Sequence, residues 1–207
     1  WKAQSRKAYK DHMAKGLTGI VIVGDLSERE AIDVANKNFS RFSHRAPEAK
    51  VEYPEFPEWT PARKIIDFPG TQQVGLSLLV KGLRHGDQRT AALDAAVQIL
   101  GGNFSSRLVQ NLREDKGFTY AIGAKNHSFS SMGYIEVSCT VLVSDVVPAM
   151  EEIEAELKGM VERPPTPSEF EAAILERRKR LFDDLSSTRS IAKILAGYQV
   201  SGYSSDD

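Results

Sequence analysis

The chain has 207 residues, of which 41% are hydrophobic and 27% are charged, and these fractions are typical of an ordinary globular protein. Its 27 Lys and Arg residues balance 28 Asp and Glu residues, so it lacks the excess positive charge that drives binding to nucleic acids or anionic membrane surfaces. The single cysteine, Cys139, excludes an intrachain disulfide and a zinc site made of thiolates. No apolar run approaches the roughly 20 residues that a membrane-spanning helix needs.

Neither end of the sequence carries a targeting signal. The chain opens at Trp1 without an initiator methionine and ends at Asp207, just after an apolar helical stretch. We therefore expect an excised fragment of a longer protein, with its last domain truncated at the C-terminus. No residue of the sequence selects between the periplasm and the cytoplasm.

The first part of the chain predicts a strand followed by a helix. The β-branched residues of the stretch 18–23 favour a short buried strand. Ser27 and Glu30 then have the spacing of a capping box, in which each side chain bonds the other residue's backbone N–H. A helix is expected to begin there.

A linker is predicted after this helix. Prolines at positions 47, 54, 57 and 61 fix their own φ angles and restrict the residues before them, which favours a semi-extended backbone. The predicted organisation is a closing strand and helix of a preceding domain at residues 1–45, a linker at 46–62, and a second domain at 63–207.

The second domain combines strand patterns and helix patterns. Strands are predicted at residues 64–68, 73–81, 118–125 and 132–143. Helices are predicted at residues 88–100, 105–116 (ending at Gly117), 146–160 and 189–200. A further helix is predicted to begin with Ser168 as its N-cap. Strands in adjacent pairs, followed by helices in groups, predict an α+β fold with a mostly antiparallel sheet covered by helices.

The sequence offers no metal site and no nucleophile of its own. The four histidines, His12, His44, His85 and His127, are too far apart in sequence to share a helix face as zinc ligands. A site assembled from distant parts of the chain is the alternative to surface or turn histidines. Cys139 falls on the apolar face of its strand, where core packing is expected rather than catalysis.

The segment 101–124, GGNFSSRLVQNLREDKGFTYAIGA, carries a motif. It has a glycine turn, Ser-Ser-Arg-Leu, a helix with an arginine, and a Gly-x-x-Tyr sequence that opens a strand. This motif resembles the signature of the second domain of insulinase-type zinc peptidases, which include pitrilysin and the mitochondrial processing peptidases. Phe118 replaces the usual leucine, and the resemblance extends over residues 5–200.

The resemblance implies a half-domain of the processing-peptidase metallohydrolase fold that does not catalyse by itself. In the family, the first domain carries the zinc motif H-x-x-E-H, which is absent here. The chain is therefore expected to have no catalytic residue, no metal ligand and no cofactor of its own, with zinc on a companion domain. It would be inactive alone.

The resemblance assigns substrate binding to Arg113 and Tyr120, which stand seven residues apart. A guanidinium can hold a peptide carbonyl or carboxylate, and a phenol can donate to a developing oxyanion. The glycines Gly101 and Gly102 would let a substrate backbone approach. The local alternative pairs Arg113 with a neighbouring carboxylate and leaves Tyr120 partly in the core, while Ser105 to Leu108 are expected to anchor the helix.

The partners implied by the resemblance are a peptide or unfolded polypeptide substrate and a zinc-binding catalytic domain, in the same polypeptide or on a partner subunit. A dimer is expected, without nucleic acid and without a membrane span. A different class of function is the alternative: a structural or interaction subunit, related to these peptidases, that has no catalytic role. A stand-alone hydrolase with an assembled metal site is a third, weaker alternative.

Overall fold

The computed structural model describes residues 1–8, 19–40, 59–129 and 131–201. For Val200 and Ser201 it describes the backbone alone. The chain forms two compact units. One unit contains Trp1–Glu52 together with Arg180–Asp207, and the other contains Tyr53–Lys179. The last residues of the chain therefore group with its first residues. His12, His44 and most of the predicted linker lie outside the residues that the structure describes.

The secondary-structure elements described in the first unit are all helices. This unit contains α1 (Lys2–Ala8), α2 (Glu28–Phe39), the end of α5 (Pro167–Leu185) and α6 (Thr188–Ser201). The predicted capping box of α2 is confirmed. The Ser27 N–H donates to Glu30 Oε2 at 2.8 Å and the Glu30 N–H donates to Ser27 Oγ at 3.4 Å. These bonds from the side chain and backbone of Ser27 lower the pKa of Glu30.

Two predicted strands are wrong where the structure describes them. Residues 19–23 and 64–68 have no strand hydrogen bonding, and Ile65 and Ile66 are 92% and 76% exposed. An apolar, β-branched pattern favours an extended backbone, but a strand also needs a hydrogen-bonded neighbour. Neither segment has such a neighbour among the residues that the structure describes.

The second unit is a sheet covered by helices. Its strands are β1 (Gln73–Lys81), β2 (Ile122–Ser128) and β3 (Gly133–Leu142), in the order β1-β3-β2, with both pairs antiparallel. Its helices are α3 (Thr90–Gly101), a π-helix (Val109–Asp115), α4 (Val146–Glu162) and the start of α5, and a short 3-10 turn (Val143–Asp145) precedes α4. The predicted α+β fold with an antiparallel sheet is confirmed.

The helices pack against one face of this sheet. Val137 and Cys139 of β3 are buried, and the register places them opposite Leu78 and Leu76 of β1 and opposite Ala124 and Ile122 of β2. The predicted core position of Cys139 is confirmed, and burial raises the pKa of its thiol. Leu108, Leu112 and Ile153 cover this face and are fully buried.

The Arg107 guanidinium joins the residues just before the π-helix to α4 and α5. Arg107 Nε and Nη2 donate to Glu169 Oε1 and Oε2 at 2.6 and 3.0 Å. Its Nη1 lies 3.3 Å from the Gly159 carbonyl and 3.2 Å from the Arg163 carbonyl. One guanidinium therefore links three elements, the helix that follows Ser106, the end of α4 and the start of α5. The predicted anchoring role of Arg107 is confirmed.

Helix α5 begins two residues earlier than predicted. Thr166 caps it rather than Ser168, because Glu169 Oε2 accepts from the Thr166 N–H at 2.8 Å while Thr166 Oγ1 accepts from the Glu169 N–H at 3.3 Å. Pro167 occupies the first helical position, where its missing N–H costs nothing. Glu169 thus serves the cap and the ion pair together.

The end of α3 lies very close to β2. A Cβ atom added to Gly101 would sit 2.6 Å from the Ala124 nitrogen and 2.8 Å from the Ala124 Cβ. Only glycine allows this approach, so Gly101 has a packing role of its own.

We predict that Gly101→Ala lowers the free energy of unfolding by about 1–3 kcal/mol, because the new methyl group meets backbone atoms that cannot move aside cheaply. Urea denaturation of the chain measures this change. Gly75→Ala is the matched control, because nothing lies within 4 Å of its added Cβ. That variant should change stability by no more than about 0.5–1 kcal/mol, and in the stabilising direction. Equal effects of the two substitutions would contradict the packing role.

We predict that Glu169→Gln lowers the unfolding free energy at pH 7 by about 1–3 kcal/mol, because the largely buried Arg107 loses its charged partner. Bonding to Arg107 lowers the pKa of Glu169 from 4.5 to about 2. A carboxyl with a lowered folded-state pKa stabilises the fold above its unfolded pKa, and this contribution is lost as the pH falls through the folded value. The difference between variant and wild type should therefore shrink between about pH 5 and pH 2.

The matched control for that experiment is Glu171→Gln, an exposed glutamate on the same helix. Its unfolding free energy should stay close to that of the wild type at every pH. A wild-type-like pH profile for Glu169→Gln would show that the ion pair contributes nothing to stability.

Candidate functional site

The structure brings Arg113 and Tyr120 together. Arg113 lies in the last turn of the π-helix, and Tyr120 lies two residues before β2. The guanidinium carbon of Arg113 is 5.1 Å from the centre of the Tyr120 ring. A cation over an aromatic face at this distance is attracted by about 0.5–1 kcal/mol at an exposed site. The seven-residue spacing therefore corresponds to a direct contact.

Phe104 is a third member of this group, and the sequence did not single it out. Its ring centre lies 5.3 Å from the same guanidinium carbon. Phe104 is 76% exposed and Tyr120 is 86% exposed, although both are large aromatic residues. The available sequence signal was an aromatic residue inside a turn of small polar residues, where no core position is expected. The tyrosine's exposure also rules out the alternative that it is partly core.

The helix that carries Arg113 ends sharply. At its C-terminus the backbone hydrogen bonds reach five residues back along the chain, and the Lys116 N–H donates to the Asn111 carbonyl at 2.9 Å. Gly117 follows with φ +68°, a left-handed value that glycine adopts without strain, so the predicted helix end is confirmed. π-Helical turns are rare and occur frequently at functional sites. Leu112, fully buried beside Arg113, fixes this last turn against the sheet.

Arg113 retains donors for a ligand. Its Nε lies 3.2 Å from Glu114 Oε1, so the local pairing that was the alternative does exist. In the part of the chain that the structure describes, no residue accepts from its two Nη nitrogens. The Arg113 side chain is 29% exposed, so the residue belongs to the protein surface rather than to the core.

The segment that carries Tyr120 is tied to the sheet by its neighbour. Thr119 is buried, and its hydroxyl lies 2.7 Å from the Thr140 carbonyl oxygen on β3. The same hydroxyl accepts from the Ala121 N–H at 3.2 Å. Tyr120 is therefore held between two fixed residues while its own ring projects into solvent.

The turn that carries Phe104 is equally well fixed. Asn103 Oδ1 accepts from the Ser105 N–H at 2.9 Å, and Ser106 Oγ donates to the Asn103 carbonyl at 2.6 Å. Gln110 Nε2 donates to the Phe104 carbonyl at 2.8 Å. These bonds fix the turn before the helix, and the predicted anchoring of the helix itself by Ser105 and Ser106 stays a prediction.

A polar network holds the π-helix against α4. Asn111 Nδ2 donates to Glu152 Oε2 and Glu156 Oε1, both at 2.9 Å, and Lys116 Nζ lies 3.1 Å from Glu152 Oε1. Bonding from Asn111, and then from Lys116, lowers the pKa of Glu152. The backbone on which Arg113 stands is therefore braced against α4 as well as against the sheet.

The two predicted glycines occupy different environments. Gly101 is buried against β2, and Gly102 is half-buried, with a Cβ position that the Gln98 side chain would obstruct. Their predicted contact with a substrate backbone stays a prediction.

The described residues provide no donor set for a metal. No group of three or more His, Cys, Asp or Glu side chains is placed there to hold an ion. His127 lies 3.2 Å from Glu136 and stacks on Tyr134 with ring centres 4.7 Å apart. Among the same residues, no helix is long and apolar enough to cross a membrane.

Comparison with known sequences identifies relatives that are named as zinc proteases. "Uncharacterized zinc protease YmxG" of Bacillus subtilis (strain 168) is 28% identical over 185 residues, which cover 89% of this chain and 44% of that protein. An "Uncharacterized zinc protease" of Rickettsia felis is 30% identical over 99 residues, or 48% of this chain and 21% of that protein. The chain thus spans less than half the length of these relatives.

Solved structures share the fold. The peptidase M16 inactive domain from Pseudomonas fluorescens superimposes with a TM-score of 0.67 at 24% identity, over 84% of this chain and 41% of that one. A protease from Helicobacter pylori gives a TM-score of 0.72 at 20% identity, over 87% of this chain and 44% of that one.

The sequence model for the family described as "Peptidase M16 inactive domain" matches residues 2–176. This match includes the whole 101–124 motif, and it confirms the resemblance to insulinase-type peptidases. The motif, the sheet with its covering helices and the family match together show that the chain belongs to the peptidase M16 inactive-domain family.

Proposed function

We propose that this chain is the non-catalytic half of a zinc-dependent endopeptidase. It binds a peptide or unfolded polypeptide substrate and completes the active-site chamber of a zinc site on another domain or subunit. Three observations support the proposal: the family membership, the names of the relatives, and the lack of a metal donor set among the described residues.

The observation that carries the proposal is the contact between Arg113 and Tyr120. The arginine has unused Nη donors, and the tyrosine ring is almost fully exposed beside it. The guanidinium donates to a carbonyl of the bound peptide, and the phenol donates to the oxygen on which negative charge develops. Both groups stand on braced backbone, so their donors are already oriented when the substrate arrives.

Zinc on the companion domain would activate the attacking water and polarise the scissile carbonyl. The residues of this chain bind and orient the peptide. The companion domain lies in the same polypeptide or on a partner subunit, and the second arrangement would make the active assembly at least a dimer. Gly102, which is half-buried, is better placed than the buried Gly101 to let a substrate backbone approach.

We predict that Arg113→Ala and Tyr120→Phe each lower kcat/KM of the complete enzyme by about 10- to 100-fold, because each removes a donor to the reacting peptide. Zinc content should stay unchanged. Tyr120→Phe is informative because it keeps the ring over Arg113 and removes only the hydroxyl. Arg113→Lys should recover only part of the activity, because an ammonium group lacks the planar fork.

The matched control is Arg178→Ala, which removes an exposed arginine from α5 of the same unit. Its kcat/KM should equal that of the wild type. Unchanged kinetics in both Arg113→Ala and Tyr120→Phe would contradict the proposal and favour a structural subunit without a catalytic role.

We also predict that the purified chain alone binds no stoichiometric zinc and cleaves no peptide, because its described side chains do not converge on an ion. Metal analysis and a peptide-cleavage assay measure these two properties. Adding the companion domain should restore cleavage. One zinc ion per chain, with activity that a chelator removes, would instead favour the stand-alone hydrolase.

A further inference from the structure

Phe104, Arg113 and Tyr120 form one small surface, here named the Arg113 platform. We infer that Phe104 is a substrate-contact residue that makes the site prefer an apolar side chain next to the peptide carbonyl held by Arg113. This inference rests on the proposed function and adds a substrate preference to it. The two ring centres lie 5.3 and 5.1 Å from the same carbon atom, so a single peptide residue can touch both the guanidinium and the Phe104 ring.

The exposure of Phe104 points to a ligand rather than to the core. At 76% exposed it contributes little to folding, whereas Leu108, four residues later, is fully buried in the sheet interface. A single exposed apolar residue is common on protein surfaces. Here, however, an exposed phenylalanine and an exposed tyrosine lie against the same guanidinium, and large apolar residues that cluster on a surface mark interaction sites.

The ring also stands on a rigid base. The Asn103–Ser106 turn is closed by its own hydrogen bonds, and Gln110 binds the Phe104 carbonyl at 2.8 Å. A side chain on a fixed backbone loses little conformational freedom when a ligand arrives. An aromatic ring has only two side-chain torsions, so its contact area is available at low entropic cost.

The charges around Arg113 decide which ligand fits. Glu114 Oε1 lies 3.2 Å from Arg113 Nε. This carboxylate offsets the positive charge of the guanidinium and repels an acidic side chain. A neutral carbonyl can still accept from the Nη nitrogens. The platform therefore fits a peptide residue with a neutral carbonyl acceptor and an apolar side chain that covers the Phe104 ring.

The test compares peptide substrates with the complete zinc enzyme. Internally quenched peptides differ at one residue beside the scissile bond, with Phe in one member of the pair and Ser in the other, and the pair is made for each side of the bond. The wild type should prefer Phe on one side. Phe104→Ala should lower this Phe-over-Ser ratio of kcat/KM by about tenfold, because the apolar contact is lost. Phe104→Leu should keep most of the ratio.

Phe170→Ala is the matched control, because it removes another exposed phenylalanine of the same unit from the start of α5. It should leave the ratio unchanged. Equal losses with both peptides in Phe104→Ala would show that the ring only orients Arg113, and this result would overturn the inference. An unchanged ratio, or a wild type without preference on either side, would overturn it too.

The outcome for the proposed function is read separately. If Arg113→Ala and Tyr120→Phe lower kcat/KM while Phe104→Ala keeps the ratio, only the substrate preference is overturned. If the Arg113 and Tyr120 variants are fully active, the proposed function fails and the preference fails with it.

Discussion

The helix that presents Arg113 is fixed at its first turn by Arg107. This guanidinium makes a two-bond contact with Glu169 and reaches two carbonyl groups near the end of α4. The carboxylate at the same time caps α5 through Thr166. Three elements therefore share one ion pair. Because the pair is mostly shielded from water, its geometry is held more firmly than that of a surface salt bridge.

Two arginines six residues apart thus have opposite environments. Arg107 has acceptors for its Nε and for both Nη nitrogens, and its side chain is largely buried. Arg113 binds a neighbouring carboxylate through Nε alone and rests between exposed aromatic residues. A buried guanidinium with every direction occupied stabilises the fold, whereas one with open directions is suited to a ligand. The residue type is the same, and the surroundings assign the role.

The sequence predicted those features that depend on local chemistry. The capping box at Ser27, the left-handed Gly117 and the alternation that buries Cys139 follow from neighbouring residues alone, and the structure confirms them. Features that depend on distant partners were less accessible. The strands expected at residues 18–23 and 64–68 need a hydrogen-bonded neighbour that a pattern cannot supply. The cap of α5 is a local feature that the prediction missed, because Pro167 favours a helix start after Thr166 and Glu169 stands at capping-box spacing.

In the candidate site, too, the features that depend on tertiary contacts were not predicted from the residues alone. The Arg113 and Tyr120 pair came from the family motif, because the spacing alone is equally consistent with a surface ion pair and a core tyrosine. Phe104 was missed, since its contact with Arg113 depends on how the turn closes after α3. The grouping of residues 180–207 with the first 52 residues is also a tertiary property, and it had no local signal.

The proposed function places unusual demands on rigidity. If zinc lies on a companion domain, the positions of the reacting atoms depend on how two separate bodies meet. A misplacement of about 1 Å can lower a rate about 100-fold, so each body must keep its own groups still. In this chain three separate sets of hydrogen bonds hold the backbone of the Arg113 platform in place: the Asn103–Ser106 turn, the Thr119 hydroxyl and the Asn111 network. Under the proposed function, movement between the two bodies would then leave these donors undisturbed.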